Sequence, residues 1–195
     1  HLINFIEERE MKRAERLATV SKRLNLQIQR QVSRTCTAVI PSCYDPQRFY
    51  LEAGAREQIR DEFRVTADEK LLCYSGGTAP WQRVGDILTL FDQLSRRRDD
   101  VRFMILTPDA GPLRSTIASL THPSRFHVKN CSHDDVRRHL SACDAGVIMR
   151  HDTMVNNVAS PIKVAEYLAC GLPVIMTQGI GDYSQDLVRE RVGLL

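Results

Sequence analysis

The stretch Ser160-Pro-Ile-Lys-Val-Ala-Glu-Tyr-Leu-Ala-Cys-Gly-Leu-Pro-Val-Ile175 reads as a short helix, a sharp stop and a strand. Ser160 is placed as the N-cap and Pro161 as the first helical residue, where its missing N–H costs nothing. Gly171 suits a left-handed helix end, and Pro173 prevents continuation. The apolar run Pro173-Val-Ile-Met176 that follows is a strand. The first-turn amides of Ile162, Lys163 and Val164 then point out of the helix at the positive end of its dipole, which is an anion site. Lys163 adds a full positive charge in the same turn. Glu166 lies three residues further on, about 4.5 Å along the axis. That is too far to cap the helix but within reach of a diol such as a ribose one phosphate linkage away. Read alone, Ser-Pro is equally a plain cap and Glu166 a solvated helix residue.

Upstream, the same alternation repeats. Leu71-Leu-Cys-Tyr74 is a strand, and the helix after it carries Val84, Ile87, Leu88, Phe91 and Leu94 on one face. Strands follow at 101–106, 125–128 and 145–149, with helices at 113–120 and 134–142. Repeated β–α units with mostly apolar strands specify an α/β fold with a doubly wound parallel sheet. Ligands of such sheets sit outside the carboxyl ends of the strands. The loops 75–83, 107–112, 129–133 and 150–161 therefore define the candidate site.

Two glycines in Ser75-Gly-Gly-Thr78 let the backbone approach a phosphate closely, although a Gly-Gly after a strand also serves as a tight turn. The pattern is neither GxGxxG nor a Walker loop. Arg83 is a candidate phosphate ligand, and Trp81 is expected to cover the helix–sheet junction. Arg150 ends the strand 145–149, and the polar loop His151-Asp-Thr-Met-Val-Asn-Asn157 behind it is suited to touch a sugar. Ser75, Gly76, Gly77, Arg83, Arg150, Asn156, Ser160, Ile162, Lys163, Val164 and Glu166 are thus the candidate ligand-binding residues. No residue is singled out as catalytic beyond the cations Arg83, Arg150 and Lys163. No metal-ligand spacing occurs.

The N-terminal part differs. Residues 2–16 predict a charged amphipathic helix with Ile3, Ile6 and Met11 on one side. Leu17-Ala-Thr-Val20 is a short strand, Ser21 caps a second helix through Gln31, and Thr37-Ala-Val-Ile40 is another strand. Pro41-Ser-Cys-Tyr-Asp-Pro46 has linker chemistry and marks a domain boundary.

The chain has 195 residues, 43% hydrophobic and 26% charged, with a net charge of +3. That suits an anionic ligand but lacks the basic stripe of a nucleic-acid binder. At 6% aromatic residues there is little for base stacking along a strand. No run approaches a membrane span and no signal peptide opens the chain. The six cysteines include no CxxC. Cys73, Cys143 and Cys170 read as core residues, while Cys36, Cys43 and Cys131 are scattered, which favours a reducing, cytoplasmic setting. A start at His1 and a stop within the apolar run Arg191-Val-Gly-Leu-Leu195 predict a piece of a longer protein.

These residues together resemble retaining glycosyltransferases of family 4, which have the GT-B architecture of two Rossmann-like domains. Leu17-Ala-Thr-Val-Ser-Lys22 is similar to the last N-domain strand and its Ser-capped helix. Val39-Ile-Pro-Ser-Cys-Tyr-Asp45 is similar to the crossover, and Tyr74-Ser-Gly-Gly77 with Trp81-Gln82 to the first phosphate loop. Ser160 to Ile175 is the most specific segment. The resemblance implies that residues 1–44 are the tail of an acceptor-binding N-terminal domain and 45–195 a C-terminal nucleotide-sugar domain cut short at its end. It implies Glu166 on the ribose hydroxyls, the amides after Ser160 on the diphosphate, and Lys129, Asn130 and Ser132 near the base. No cofactor and no metal are implied. The implied partners are a nucleotide-sugar donor such as a UDP sugar and a glycan or lipid-linked acceptor, with peripheral membrane association of the full-length protein. Two departures stand out. Val158 occupies the position eight residues before Glu166, where many members carry Glu, leaving Asn156 or Asn157 as replacements. Ala79-Pro80 stand where a Lys or Arg is usual. A nucleotide-sugar 2-epimerase of the same architecture and a non-catalytic binding module are the alternative readings.

Overall fold

Apolar runs that alternate with amphipathic segments must bury both faces of a sheet, and the computed structural model does so. It describes residues 2–34 and 38–195. Cys36 and the expected strand start at Thr37 lie outside the described residues, as does the side chain of Ile3. In chain order the elements are α1 (Leu2–Arg13), β1 (Ala18–Thr19), α2 (Lys22–Val32), β2 (Ala38–Val39), α3 (Ala55–Glu62), β3 (Lys70–Ser75), α4 (Val84–Arg97) and β4 (Val101–Leu106). They continue with α5 (Ala110–Ala118), β5 (Phe126–Lys129), α6 (His133–Ser141), β6 (Ala145–Ile148), α7 (Met154–Asn157), α8 (Ile162–Ala169), β7 (Val174–Met176), α9 (Tyr183–Arg189) and β8 (Gly193–Leu194).

Six strands form one sheet in the order β5-β4-β3-β6-β7-β8, and every neighbouring pair is parallel. The chain winds outward from β3 to β5, returns to lay β6 against β3, and winds outward again. The reversal between β3 and β6 is the topological switch point of a doubly wound sheet. Alternate residues of the strands go to opposite layers. Phe103 and Ile105 join Ile87, Phe91, Leu113 and Ile117 under α4 and α5. Met104 and Leu106 join Ile59, Leu140, Val164, Tyr167 and Leu187 under α3, α6, α8 and α9. In the first layer Phe103 stacks between Phe91 at 4.5 Å and Phe126 at 4.9 Å. Cys73, Cys143 and Cys170 are buried core residues, as their apolar surroundings predict.

α3 went unread because its eight residues AREQIRDE bury only Ala55, Ile59 and Arg60. What holds it is a long-range polar network. Arg56 and Arg60 pair with Asp144 at 2.7 and 3.2 Å, and the Leu71 amide donates to the same carboxylate at 2.7 Å. Burial works to raise the Asp144 carboxyl, but the Leu71 amide and the Arg56 and Arg60 guanidinium groups outweigh it and hold it below the usual range.

β1 and β2 form a separate parallel pair. Ser21 caps α2 as expected, accepting from the Leu24 amide at 3.0 Å. The same segment is tied to the larger sheet. The Ser21 hydroxyl donates to the Val158 carbonyl at 2.7 Å, and the Lys22 amide donates to Asp182 at 2.7 Å. Among the described residues no helix is long and apolar enough to cross a membrane.

Candidate functional site

The carboxyl edge of the sheet at the switch point opens into a cleft of ≈ 400 Å³ lined by Phe49, Ser75, Gly76, Leu106, Thr107, Pro108, Cys131, Val136, Ile162, Lys163 and Glu166. Residues from the ends of β3, β4 and β5 therefore meet the first turns of α8 in one space.

α8 begins one residue later than its sequence suggests. Pro161 is the N-cap, with φ −65° and ψ 121°. The Ser160 hydroxyl does not cap the helix, because it accepts the Ser42 amide at 2.9 Å and so fastens the crossover segment instead. The Val164 amide donates to the Pro161 carbonyl at 3.1 Å, and its side chain is core. Ile162 and Lys163 thus carry the amides that open onto the cleft. The helix ends as read. Gly171 is left-handed at φ +78°. The Leu172 amide donates to the Tyr167 carbonyl and the Gly171 amide to that of Leu168, the paired bonds of a Schellman end.

Lys163 lies over the Tyr74 ring at 5.5 Å and donates to the Gln82 side-chain oxygen at 3.0 Å. Burial, reinforced by the charge of Arg150, pushes its ammonium down to about 8. Glu166 is buried to 9% exposure on the same wall. Gly76 suits its place through its backbone, and Lys163 fills the space beside it. Its φ is +147°, and a Cβ there would stand 2.3 Å from the Lys163 Nζ. Gly77 is held beside it, its carbonyl accepting from the Tyr74 hydroxyl at 2.6 Å.

Other expected ligands turn elsewhere, toward partners outside the cleft. Arg83 pairs with Asp86 at 2.7 Å and donates to the Arg150 carbonyl at 3.2 Å. Arg150 is buried behind the loop rather than in the cleft wall, donating to the carbonyls of Trp81 and Met149 at 3.3 and 3.1 Å. Burial pushes its guanidinium down. Trp81 does not cover the helix–sheet junction, for it is 62% exposed. Asn156 donates back into its own loop, to His151 and Thr153, and the Asn157 side-chain oxygen is buried toward Gly179. Neither asparagine lines the cleft where a second carboxylate is expected.

The loop after β5 reaches the cleft, but through Cys131 rather than its polar members. Lys129 pairs with Glu62 at 2.8 Å, and Ser132 caps α6 by accepting the Asp135 amide. Asn130 is exposed next to them. Burial pushes the Cys131 thiol up to about 11. Phe49, Val136, Tyr74 and Tyr167 escaped sequence reasoning. Only Tyr167 carried a usable signal, standing four residues after Lys163 and so on the same helix face.

The family described as glycosyl transferases group 1 matches residues 55–195. Among solved structures, the chain is similar to WaaG, a glycosyltransferase involved in lipopolysaccharide biosynthesis, with a TM-score of 0.70 and 18% identity over 91% of this chain and 48% of that one. It is similar to Anabaena Alr3699/HepE in complex with UDP and glucose, with a TM-score of 0.67 and 16% identity over 93% and 49% of the two chains. For a glycosyltransferase from Rickettsia africae ESF-5 the TM-score is 0.68 and the identity 14%, over 94% and 49%. At such identities the likeness is one of fold, the Rossmann-like half of the GT-B architecture. The chain spans about half the length of these structures. No curated protein matches it.

Proposed function

The chain belongs to the group 1 glycosyl transferases, and on that footing we propose that it is the donor-binding half of a retaining, family 4 enzyme. Its substrate is a nucleoside diphosphate sugar, for which UDP is the first nucleotide to test because Anabaena Alr3699/HepE is seen with UDP and glucose. The sugar passes to a polysaccharide or lipid-linked acceptor held by a preceding domain, of which residues 1–44 are the tail. The protein works in the cytoplasm, with the assembled enzyme associating peripherally with a membrane.

One observation carries this reading: the opening amides of α8, Lys163, Glu166 and the glycine loop line a single cleft at the switch point of the sheet. When the bond between the sugar and the diphosphate breaks, negative charge grows on the departing phosphate. The helix amides, the helix dipole and the Lys163 ammonium lie where they meet that charge, and in this reading no metal ion is called upon. Glu166, one turn deeper, takes the ribose hydroxyls. The base lies toward Cys131 and Val136 at the β5 side.

Titration calorimetry of the 195-residue chain with UDP and GDP tests the proposal. One of the two binds, and Glu166→Ala weakens it at least about tenfold through loss of hydrogen bonds to a charged acceptor. Equal affinity in the variant removes Glu166 from the ribose.

A further inference from the structure

The glycine loop at the end of β3 is not held by the sheet alone. β6 pairs with β3 only at Leu72↔Ala145 and Cys73↔Gly146, so the ladder between them stops short of Ser75. The Ser75 amide donates instead to the Tyr167 hydroxyl, at 2.9 Å and fully buried. Tyr167 belongs to α8, next to Glu166, and its ring reaches Ser75 by crossing β6 at Gly146. A Cβ on Gly146 would stand 2.3 Å from the Tyr167 ring, so a glycine in this central strand is what lets the ring pass.

Four residues before Tyr167, on the same helix face, Lys163 occupies the space that a side chain on Gly76 would need. One residue further along the loop, the Tyr74 hydroxyl holds the Gly77 carbonyl at 2.6 Å. Ser75, Gly76 and Gly77 are thus each met by a different side chain, two of them from α8.

We propose that Tyr167 is a positioning residue whose hydroxyl locks the Ser75–Gly77 loop to α8, making the loop and the helix N-terminus one cradle for a diphosphate. The proposal rests on the donor-binding reading above. The loop's phosphate-facing geometry is then set by the same helix that supplies Lys163 and Glu166, and freeing it would loosen the diphosphate end of the site while leaving the nucleoside end in place.

Tyr167→Phe deletes one oxygen and keeps the ring that fills the core. Affinities of the wild-type chain and the variant for UDP and for uridine are measured by calorimetry and NMR titration, and Ser75 amide exchange by NMR in deuterated buffer. UDP affinity is expected to fall at least about fivefold, the cost of ordering the freed loop on binding. Uridine affinity is expected to stay unchanged, and the Ser75 amide to exchange faster. A variant that matches the wild type in UDP affinity overturns the coupling, and so does an equal loss for UDP and uridine, which is the mark of a merely structural role. Should the variant fail to fold, the wild type alone decides. A Ser75 amide that exchanges as fast as open loop amides contradicts the lock, and one protected like the core strands upholds it. A wild-type chain that binds neither UDP nor GDP defeats the donor-site reading itself, whatever the exchange rates show.

Discussion

Lys163 carries a conflict that function resolves. Its ammonium is buried near a second cation, Arg150, with Glu166 acting the other way, and it is pushed down to about 8 from an ordinary 10.5. A bound diphosphate favours the protonated form, so the free protein must take up a proton to bind above about pH 8. UDP affinity is therefore expected to fall as pH rises through that value, by up to about tenfold per unit. The unliganded fold responds with the opposite sign. Between about 8 and 10.5 the unfolded chain holds more protons at this lysine than the folded one, so this group adds stability as pH rises. Calorimetry across that range checks the first effect, with Lys163→Met expected to lose the pH dependence. A wild-type affinity that is flat with pH removes Lys163 from the diphosphate. Lys163 and Glu166 were legible because a helix start fixes where its first two turns point. Arg83, Asn156, Lys129 and Ser132 were not, because their directions are set by Asp86, the His151 carbonyl, Glu62 and Asp135.

At the scale of elements, the boundaries that sequence placed well are those with a local chemical cause. Ser21 caps α2, and Gly171 turns the chain out of α8. The start of α8 shifted to Pro161 because Ser160 found a distant partner in Ser42, which no local pattern announces. α9 went unread since only Ser184 and Leu187 of its seven residues are buried. The loop before α8 depends on a second long-range fit. Gly181, at φ +48°, packs so closely that a Cβ would stand 1.9 Å from the Ala159 carbonyl oxygen, and its amide donates to the Asn156 carbonyl. Gly181→Ala is expected to destabilise the fold by about 3 kcal/mol, through both backbone strain and overpacking. Gly85→Ala makes the control, for nothing lies within 4 Å of its Cβ position in α4, and it is expected to stabilise by about 0.5–1 kcal/mol. Urea unfolding of both variants decides, and equal effects contradict this account of the loop.

In the whole molecule, the doubly wound parallel sheet was legible because its inner strands β3, β4, β6 and β7 are largely buried on both faces and so are mostly apolar. Strand order was not spelled out by the pattern, yet it decides everything about the site. Returning β6 to the side of β3 brings the glycine loop and the start of α8 to one place, with Arg150 buried behind them. Polar ties, among them those from Ser21, Lys22 and Ser42 to Val158, Asp182 and Ser160, then pin the N-terminal segment against the larger sheet's loops. A second cavity of ≈ 310 Å³, lined by Arg56, Arg60 and Val65 among others, supplies an internal comparison. The central claim is that a nucleoside diphosphate binds at the switch point, and backbone amide shifts during a UDP titration test it directly. Saturable shifts are predicted at Gly76, Ile162, Lys163 and Glu166, with little change around Arg56 and Arg60. Shifts confined to the Arg56–Arg60 cavity, or none at any residue at saturating UDP and GDP, would contradict it.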